Sequence, residues 1–205
     1  MYFVKTPVIL SLFYKDFIWK VNTKEKIIYL TFDDGPDEEV TPKVLDILDE
    51  YDAKATFFCL GNNAEKYPGI IERIVKSGHI LGNHSYSHKN GYKSKLDEYI
   101  ADVERCESVF KSNLFRPPYG RIKKSQAKIL SENYKIVMWS VIPGDFDRKI
   151  SKQKCLERSI ENSGSGTIIV FHDSQKAKEK ALFTLPHYLK HFKEQGFSFN
   201  KIQFD

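Results

Sequence analysis

Two histidines four residues apart, His84 and His88, and two adjacent aspartates, Asp33 and Asp34, are the side chains of this sequence best suited to chemistry. Two imidazoles at that spacing can grip one ion if the segment turns helically. A carboxylate added to them makes an Asp-His-His set, and three protein ligands leave positions open for water and substrate, as a catalytic zinc site requires. No Glu follows His84, so the pattern differs from the zinc-protease helix and the base must come from elsewhere. Asp33, a spare carboxylate beside the metal-binding Asp34, can supply it. Each string alone is weak. Asp33-Asp34-Gly35-Pro36 by itself reads as a turn. The same histidine spacing recurs at His187 and His191, in an amphipathic stretch with no carboxylate cluster after a strand, where it reads as solvated surface. His79 lies inside a strand pattern and reads as structural. The lysine clusters at 123–128 and 176–180 read as solvated faces.

The elements that must hold these residues are apolar runs of strand character. The clearest cover 27–32, 55–60, 136–139 and 167–171, with weaker candidates at 79–82, 114–115 and 197–204. Near-continuous apolar runs suit strands buried on both faces. Helical patterns fall between them. Thr41-Pro42 reads as an N-cap with Pro at the first helical position. Pro68 to Ser77 closes on Gly78, a long helix follows Ser94, and others are expected near 125–133, 151–162 and 179–195. Strands alternating with helices imply a parallel sheet. The fold class is therefore α/β: a deformed (β/α) barrel of about seven parallel strands, TIM-barrel-like, with a doubly wound open sheet as the alternative.

In such a barrel the C-terminal ends of the strands open onto one face, which carries the catalytic residues. Five polar clusters share that phase: Asp33-Asp34-Gly35-Pro36, His84 to His88, Arg116-Pro117-Pro118-Tyr119-Gly120, Asp145, and His172-Asp173. Their convergence lifts the metal reading above a chance turn.

Together the strings Thr-Phe-Asp-Asp-Gly-Pro (31–36), Gly-Asn-His-Ser-Tyr-Ser-His (82–88), Arg-Pro-Pro-Tyr-Gly (116–120), Trp139-Ser-Val with Asp145, and Val170-Phe-His172-Asp173 resemble the polysaccharide deacetylases, the NodB homology group or carbohydrate esterase family 4. The resemblance runs from about residue 27 to the C-terminus. It implies removal of acetyl groups from N-acetylglucosamine-type units of peptidoglycan, a chitin-like or another envelope glycan. It also implies one divalent metal ion, with zinc expected first and cobalt or nickel as alternatives. By the same resemblance Asp34, His84 and His88 are the ligands and Asp33 the general base. Arg116 is the partner that orients and charge-stabilises Asp33, the Tyr119 backbone N–H an oxyanion donor, and His172 the general acid with Asp145 as its carboxylate. Trp139, Phe146 and Val170 are available to line a small apolar pocket for the acetyl methyl. Three positions depart from the family pattern: Ile142 stands where an Asp is frequent, Phe146 where Trp is, and Val170 where Leu is. The loss at Ile142 raises the question of what pairs around Arg116. A glycan-binding protein with a degenerate site, or a metal-dependent amidase or esterase on another acyl substrate, are the competing functions.

The rest of the 205-residue chain sets bounds. Hydrophobic residues make up 41% and charged residues 29%, an ordinary globular mix. With 32 basic and 27 acidic residues the charge is +5, modest for a nucleic-acid binder, and no basic aromatic-rich recognition motif is present. Cys59, Cys106 and Cys155 show no paired spacing and read as buried fillers. The expected organisation is an N-terminal arm, 1–26, packed on a single catalytic domain, 27–205. The apolar run at 7–14 is far short of a membrane span and makes a poor signal peptide. Leu10, Phe13, Phe17 and Ile18 would share a helical face suited to packing or to a membrane surface. Without an export signal the sequence reads as cytoplasmic, with the cell envelope or periplasm as the alternative the resemblance implies. A monomer acting on a glycan is the expectation for partners.

Overall fold

The computed structural model describes residues 2–7, 9–10 and 14–204. Seven strands form one parallel sheet: β1 (Ile27–Asp33), β2 (Thr56–Cys59), β3 (Ile80–Asn83), β4 (Leu114–Phe115), β5 (Lys135–Ile136), β6 (Ile168–His172) and β7 (Ser198–Asn200). The order is β5-β4-β3-β2-β1-β6, and β7 pairs with the start of β1. On one edge of β1, residues Thr31–Asp33 face β2 and Ile27–Tyr29 face β7; β6 takes the other edge from Tyr29 to Asp33. The sheet curls, and short pairings close its seam. Val141 bridges Ile169, Ile18 bridges Val137, and Lys20 bridges Thr167. The expected deformed (β/α) barrel is the fold observed, and the seam is where it departs from a regular one. The fifth strand stops at Ile136, so residues 137–142 cross to β6 by single bridges.

Helices α1 (Val40–Glu50), α2 (Gly61–Lys66), α3 (Pro68–Lys76), α4 (Leu96–Val109), α5 (Lys124–Leu130), α6 (Lys152–Asn162) and α7 (Lys178–Glu194) cover the outer face. Alternation along each strand sorts the side chains. Phe32, Phe57 and Phe171 point outward into the main core with Leu45, Leu185 and Leu189. Phe58, Leu114, Val137, Ile168 and Ile202 fill the interior. Gly82 is required there, because a Cβ would stand 2.4 Å from the Phe58 ring. All three cysteines are free and buried.

Three local expectations are corrected. Helix α1 starts at Val40 rather than after Thr41; Asp37 Oδ1 accepts from the Glu39 and Val40 N–H groups, and Thr41 Oγ1 accepts from the Asp37 N–H. The cap therefore lies four residues upstream. The segment from His84 to His88 is not helical, since Ser85 and His88 have φ of 65° and 58°. The face drawn through Leu10, Phe13, Phe17 and Ile18 is not one helix. Phe13 lies outside the described residues, and Ile18 is extended, bridged to Val137. The stretch before it pairs along the seam as well: Lys5 forms an antiparallel bridge with Val141, the Ile142 N–H donates to the Val4 carbonyl, and the Thr6 N–H donates to the Ser140 carbonyl. Among the described residues no helix is long and apolar enough to cross a membrane.

Candidate active site

The C-terminal ends of β1, β3, β4 and β6 deliver Asp33, His84, Arg116 and His172 to one mouth of the barrel. Asp33 and His172 are register partners on adjacent strands. A cleft of about 790 Å³ opens there, lined by Asp33, Asp34, His84, His88 and His172 together with Tyr119, Trp139, Ile142 and Phe146.

Arg116 lies beneath the cleft, fully buried. Its guanidinium donates from Nη1 to Asp33 Oδ1 (2.7 Å) and Thr31 Oγ1 (2.8 Å), from Nη2 to the Met138 carbonyl (2.9 Å), and from Nε to the Val137 carbonyl (3.2 Å). It rests over the Phe58 ring at 4.1 Å, a contact that favours a cation. Desolvation pulls its pKa down, while the Asp33 charge and hydrogen bond oppose that. These partners answer the question posed by Ile142. Two backbone carbonyls and a threonine complete the guanidinium's shell, so no second carboxylate is needed.

Asp34 has φ of 78°, a conformation Asp tolerates better than most residues. Asn63 on α2 holds it by donating to its carbonyl (2.8 Å). Its Oδ1 stands 3.2 Å from His88 Nε2 and 3.7 Å from His84 Nε2. Burial pushes the Asp34 carboxyl up, yet the hydrogen bond to His88 and the charges of His172, His84 and His88 bring it well below the usual carboxylate range.

His84 Nδ1 lies 2.8 Å from the Arg116 carbonyl. A carbonyl only accepts, so Nδ1 carries the proton and Nε2 presents its lone pair to Asp34. Burial lowers the His84 pKa to about 4, which keeps the ring neutral. A buried lone pair facing a carboxylate is an arrangement suited to a cation that both can ligate. The set fits a divalent ion: the ligand atoms of Asp34, His84 and His88 lie within 4.8 Å of one another, and this is the one such cluster among the described residues. The carbonyl behind His84 is the outer partner that fixes a metal-binding histidine's tautomer.

The histidine loop is set from outside. Asp102, on α4, accepts from the Tyr86 N–H (3.2 Å), the Ser87 N–H (3.0 Å) and the Ser87 hydroxyl (2.7 Å). Asn83 Oδ1 accepts from the Ser85 N–H. Across the cleft, His172 Nδ1 lies 2.8 Å from Asp145 Oδ1, and its backbone N–H donates to Asp145 Oδ2 (2.6 Å). Burial alone would lower the His172 pKa; the charge and hydrogen bond of Asp145, with the charges of Asp34 and Asp33, lift it to about 9. Phe146 meets the imidazole edge-on at 5.0 Å.

Trp139, Phe146 and Tyr119 line the cleft. Val170 does not. It faces the interior one step below His172, fully buried, and Ile142 takes a place in the wall instead. Four supporting residues carry no role in the sequence reading: Thr31 and Asp173, which appear there only within strings, and Asn63 and Asp102. Asp173 is buried, accepts from the Gly35 N–H (3.1 Å) and the Thr41 hydroxyl (2.6 Å), and so ties the Asp34 turn to β6. His187 is exposed and His79 buried, each away from the cleft. In the 176–180 lysine cluster, Lys176 stands at the cleft edge over Phe146.

A parallel barrel that gathers carboxylates and imidazoles into one cleft at its C-terminal mouth belongs to the barrel proteins whose chemistry sits on that face. The sequence pattern of polysaccharide deacetylases matches residues 20–135, and the chain belongs to that family. It is 43% identical over 154 residues to a peptidoglycan-N-acetylglucosamine deacetylase of Bacillus cereus, covering 72% of this chain and 56% of that one. A second Bacillus cereus protein of the same name is 35% identical over 189 residues, 88% of each chain. A solved structure of the Bc1960 peptidoglycan N-acetylglucosamine deacetylase, in complex with 4-naphthalen-1-yl-N-oxidanyl-benzamide, superposes with a TM-score of 0.88 at 35% identity, over 96% of this chain and 95% of that one.

Proposed function

We propose that this protein hydrolyses N-acetyl groups from N-acetylglucosamine-type units of an envelope glycan, with peptidoglycan the first candidate because both Bacillus cereus relatives carry that substrate in their names. The observation that carries the reading is the opposition of two differently charged groups across one cleft. Asp33 is anchored to a buried arginine on one side, and His172 is lifted toward its protonated form by Asp145 on the other. Separating an acid and a base in this way is how a site assigns proton transfers.

Asp34, His84 and His88 would hold a divalent ion, zinc by the chemistry of one carboxylate and two imidazoles, and when bound it supplies Lewis-acid polarisation of the acetamide carbonyl and an acidified water. Asp33 keeps Oδ1 on Arg116 and turns Oδ2 toward the ligand cluster, 4.0 Å from His84 Nε2. That oxygen takes the proton of the attacking water. His172 gives its Nε2 proton to the departing amine while Asp145 steadies the imidazolium. Positioned proton transfer of this kind is worth about 10²–10⁴-fold in rate. Trp139, Ile142 and Phe146 offer the acetyl methyl an apolar wall. Tyr119, with φ of 62° at the cleft edge, would supply its N–H to the oxyanion, a role that rests on the family resemblance.

The test is acetate release from N-acetylglucosamine oligomers and from peptidoglycan, with added zinc or cobalt. Asp33→Asn should lose about 10²–10⁴-fold while still binding the metal. No release from any acetylated glycan would overturn the reading.

A further inference from the structure

Exposed aromatic surface is concentrated beside the cleft. Phe3, Tyr92 and Tyr119 are each more than half exposed. All three line a second groove of about 280 Å³ between the N-terminal segment and the barrel mouth. Clustered exposed apolar side chains mark a binding surface, whereas single ones do not. The groove is not isolated. Tyr2, Tyr119, Arg121, Trp139 and Ile142 line both it and the catalytic cleft, so the two form one trough.

The walls have a consistent chemistry. Tyr14 and Phe17 stack with centroids 5.1 Å apart. The Trp19 indole N–H is already spent on the Tyr14 carbonyl (3.1 Å), which leaves the ring as an apolar surface. Tyr2 is held by both ends: its hydroxyl donates to Asp147 Oδ2 and accepts from Arg158 (each 3.1 Å), and its ring packs 5.1 Å from Phe146. Arg121 is the one charged side chain of the groove. Aromatic faces with one charged group at the border suit a ligand with an apolar face and hydroxylated edges. A pyranose ring has that form, with axial C–H bonds on its faces and equatorial hydroxyls around its rim. The trough also has direction, leading away from the catalytic residues along the arm.

We propose that this groove binds the sugar unit adjoining the reacting one, so that the N-terminal arm selects oligomeric over single-unit glycans. The inference rests on the deacetylase reading. Binding energy from a unit that does not react is spent on placing the one that does, so the arm's contribution grows with chain length.

The experiment is Tyr92→Ala, which alters an exposed ring of the groove that does not line the catalytic cleft. Acetate release is compared on the disaccharide and the hexasaccharide of N-acetylglucosamine. Hexasaccharide affinity is measured by calorimetry in an Asp33→Asn background. The expected result is a fall of about tenfold in kcat/KM and in affinity for the hexasaccharide, with less than twofold change for the disaccharide. Equal losses on both lengths, or none, overturn the groove and leave the deacetylase reading standing. A parent protein that hydrolyses neither glycan, yet binds the hexasaccharide through Tyr92, removes the deacetylase reading and keeps the groove. Loss of binding to anionic lipid vesicles in Tyr92→Ala, with glycan affinity unchanged, assigns the aromatic surface to a membrane and overturns the proposal.

Discussion

His172 shows how far one neighbour can set a residue's chemistry. Its burial favours the neutral ring, and Asp145 reverses that, bringing the pKa to about 9. A general acid must be protonated at the working pH. Asp145→Asn removes the first two raising influences and leaves desolvation opposed only by the charges of Asp34 and Asp33, so the imidazole pKa should fall well below its parent value. Imidazole C–H shifts in the metal-free protein would follow this directly, and a pKa unchanged near 9 would contradict it. Deacetylation at neutral pH should fall by about 10²-fold in the same variant, with the loss shrinking as the pH is lowered. The sequence made this pair legible only through family likeness. Twenty-seven positions separate the two residues, and no local pattern joins them. Asp173 was visible as half of a His-Asp string yet carried no readable role, because its partners Gly35 and Thr41 lie more than 130 residues away.

At the level of elements, the strands were legible because each is a short apolar run, and the clusters after them were legible because a parallel sheet puts every strand end on one face. The turns were not. Local spacing suggested a helical grip for His84 and His88, but the loop is bent by left-handed residues and fixed by α4. A signal did exist on that helix. Tyr99, Val103 and Cys106 form its buried stripe, and Asp102 sits within it. A carboxylate in an apolar stripe must find donors, and the histidine loop provides three. Removing them should loosen a ligand-bearing loop without touching a ligand. Asp102→Ala is therefore expected to weaken zinc affinity by about 10–100-fold, the usual effect of losing an outer-shell support. Competition with a chromophoric chelator measures it, and affinity equal to the parent would show that the loop holds itself.

Across the whole molecule, ionisable groups are sorted by depth along the barrel, and this predicts how the fold responds to acid. The mouth holds the buried ion pairs, Arg116 with Asp33 and His172 with Asp145. The opposite end is closed by apolar residues and His79, just ahead of β3. His79 Nδ1 accepts from the Ala55 N–H (3.1 Å), so its proton sits on Nε2, which is buried without a partner. Burial, with Lys54 and Lys201 adding to it and Asp49 opposing, lowers its pKa to about 4. The unfolded chain takes up that proton near pH 6.5 and the folded chain only near 4, so stability is lost as pH falls between those values. The slope is at most about 1.4 kcal/mol per pH unit, or about 3 kcal/mol across the window. His84 acts in the same direction. Asp173, raised to about 7 chiefly by burial, acts in the opposite one because it gains its proton in the folded state first. The two mouth groups offset one another in part, which leaves His79 as the separable contribution. Urea unfolding of the chelated protein at pH 7 and pH 4.5 should therefore show a pH-dependent loss about 2–3 kcal/mol smaller in His79→Asn than in the parent. The substitution itself costs stability at both pH values, since it opens a cavity, and the comparison between pH values cancels that cost. An identical loss in both proteins would place the acid sensitivity at the mouth instead.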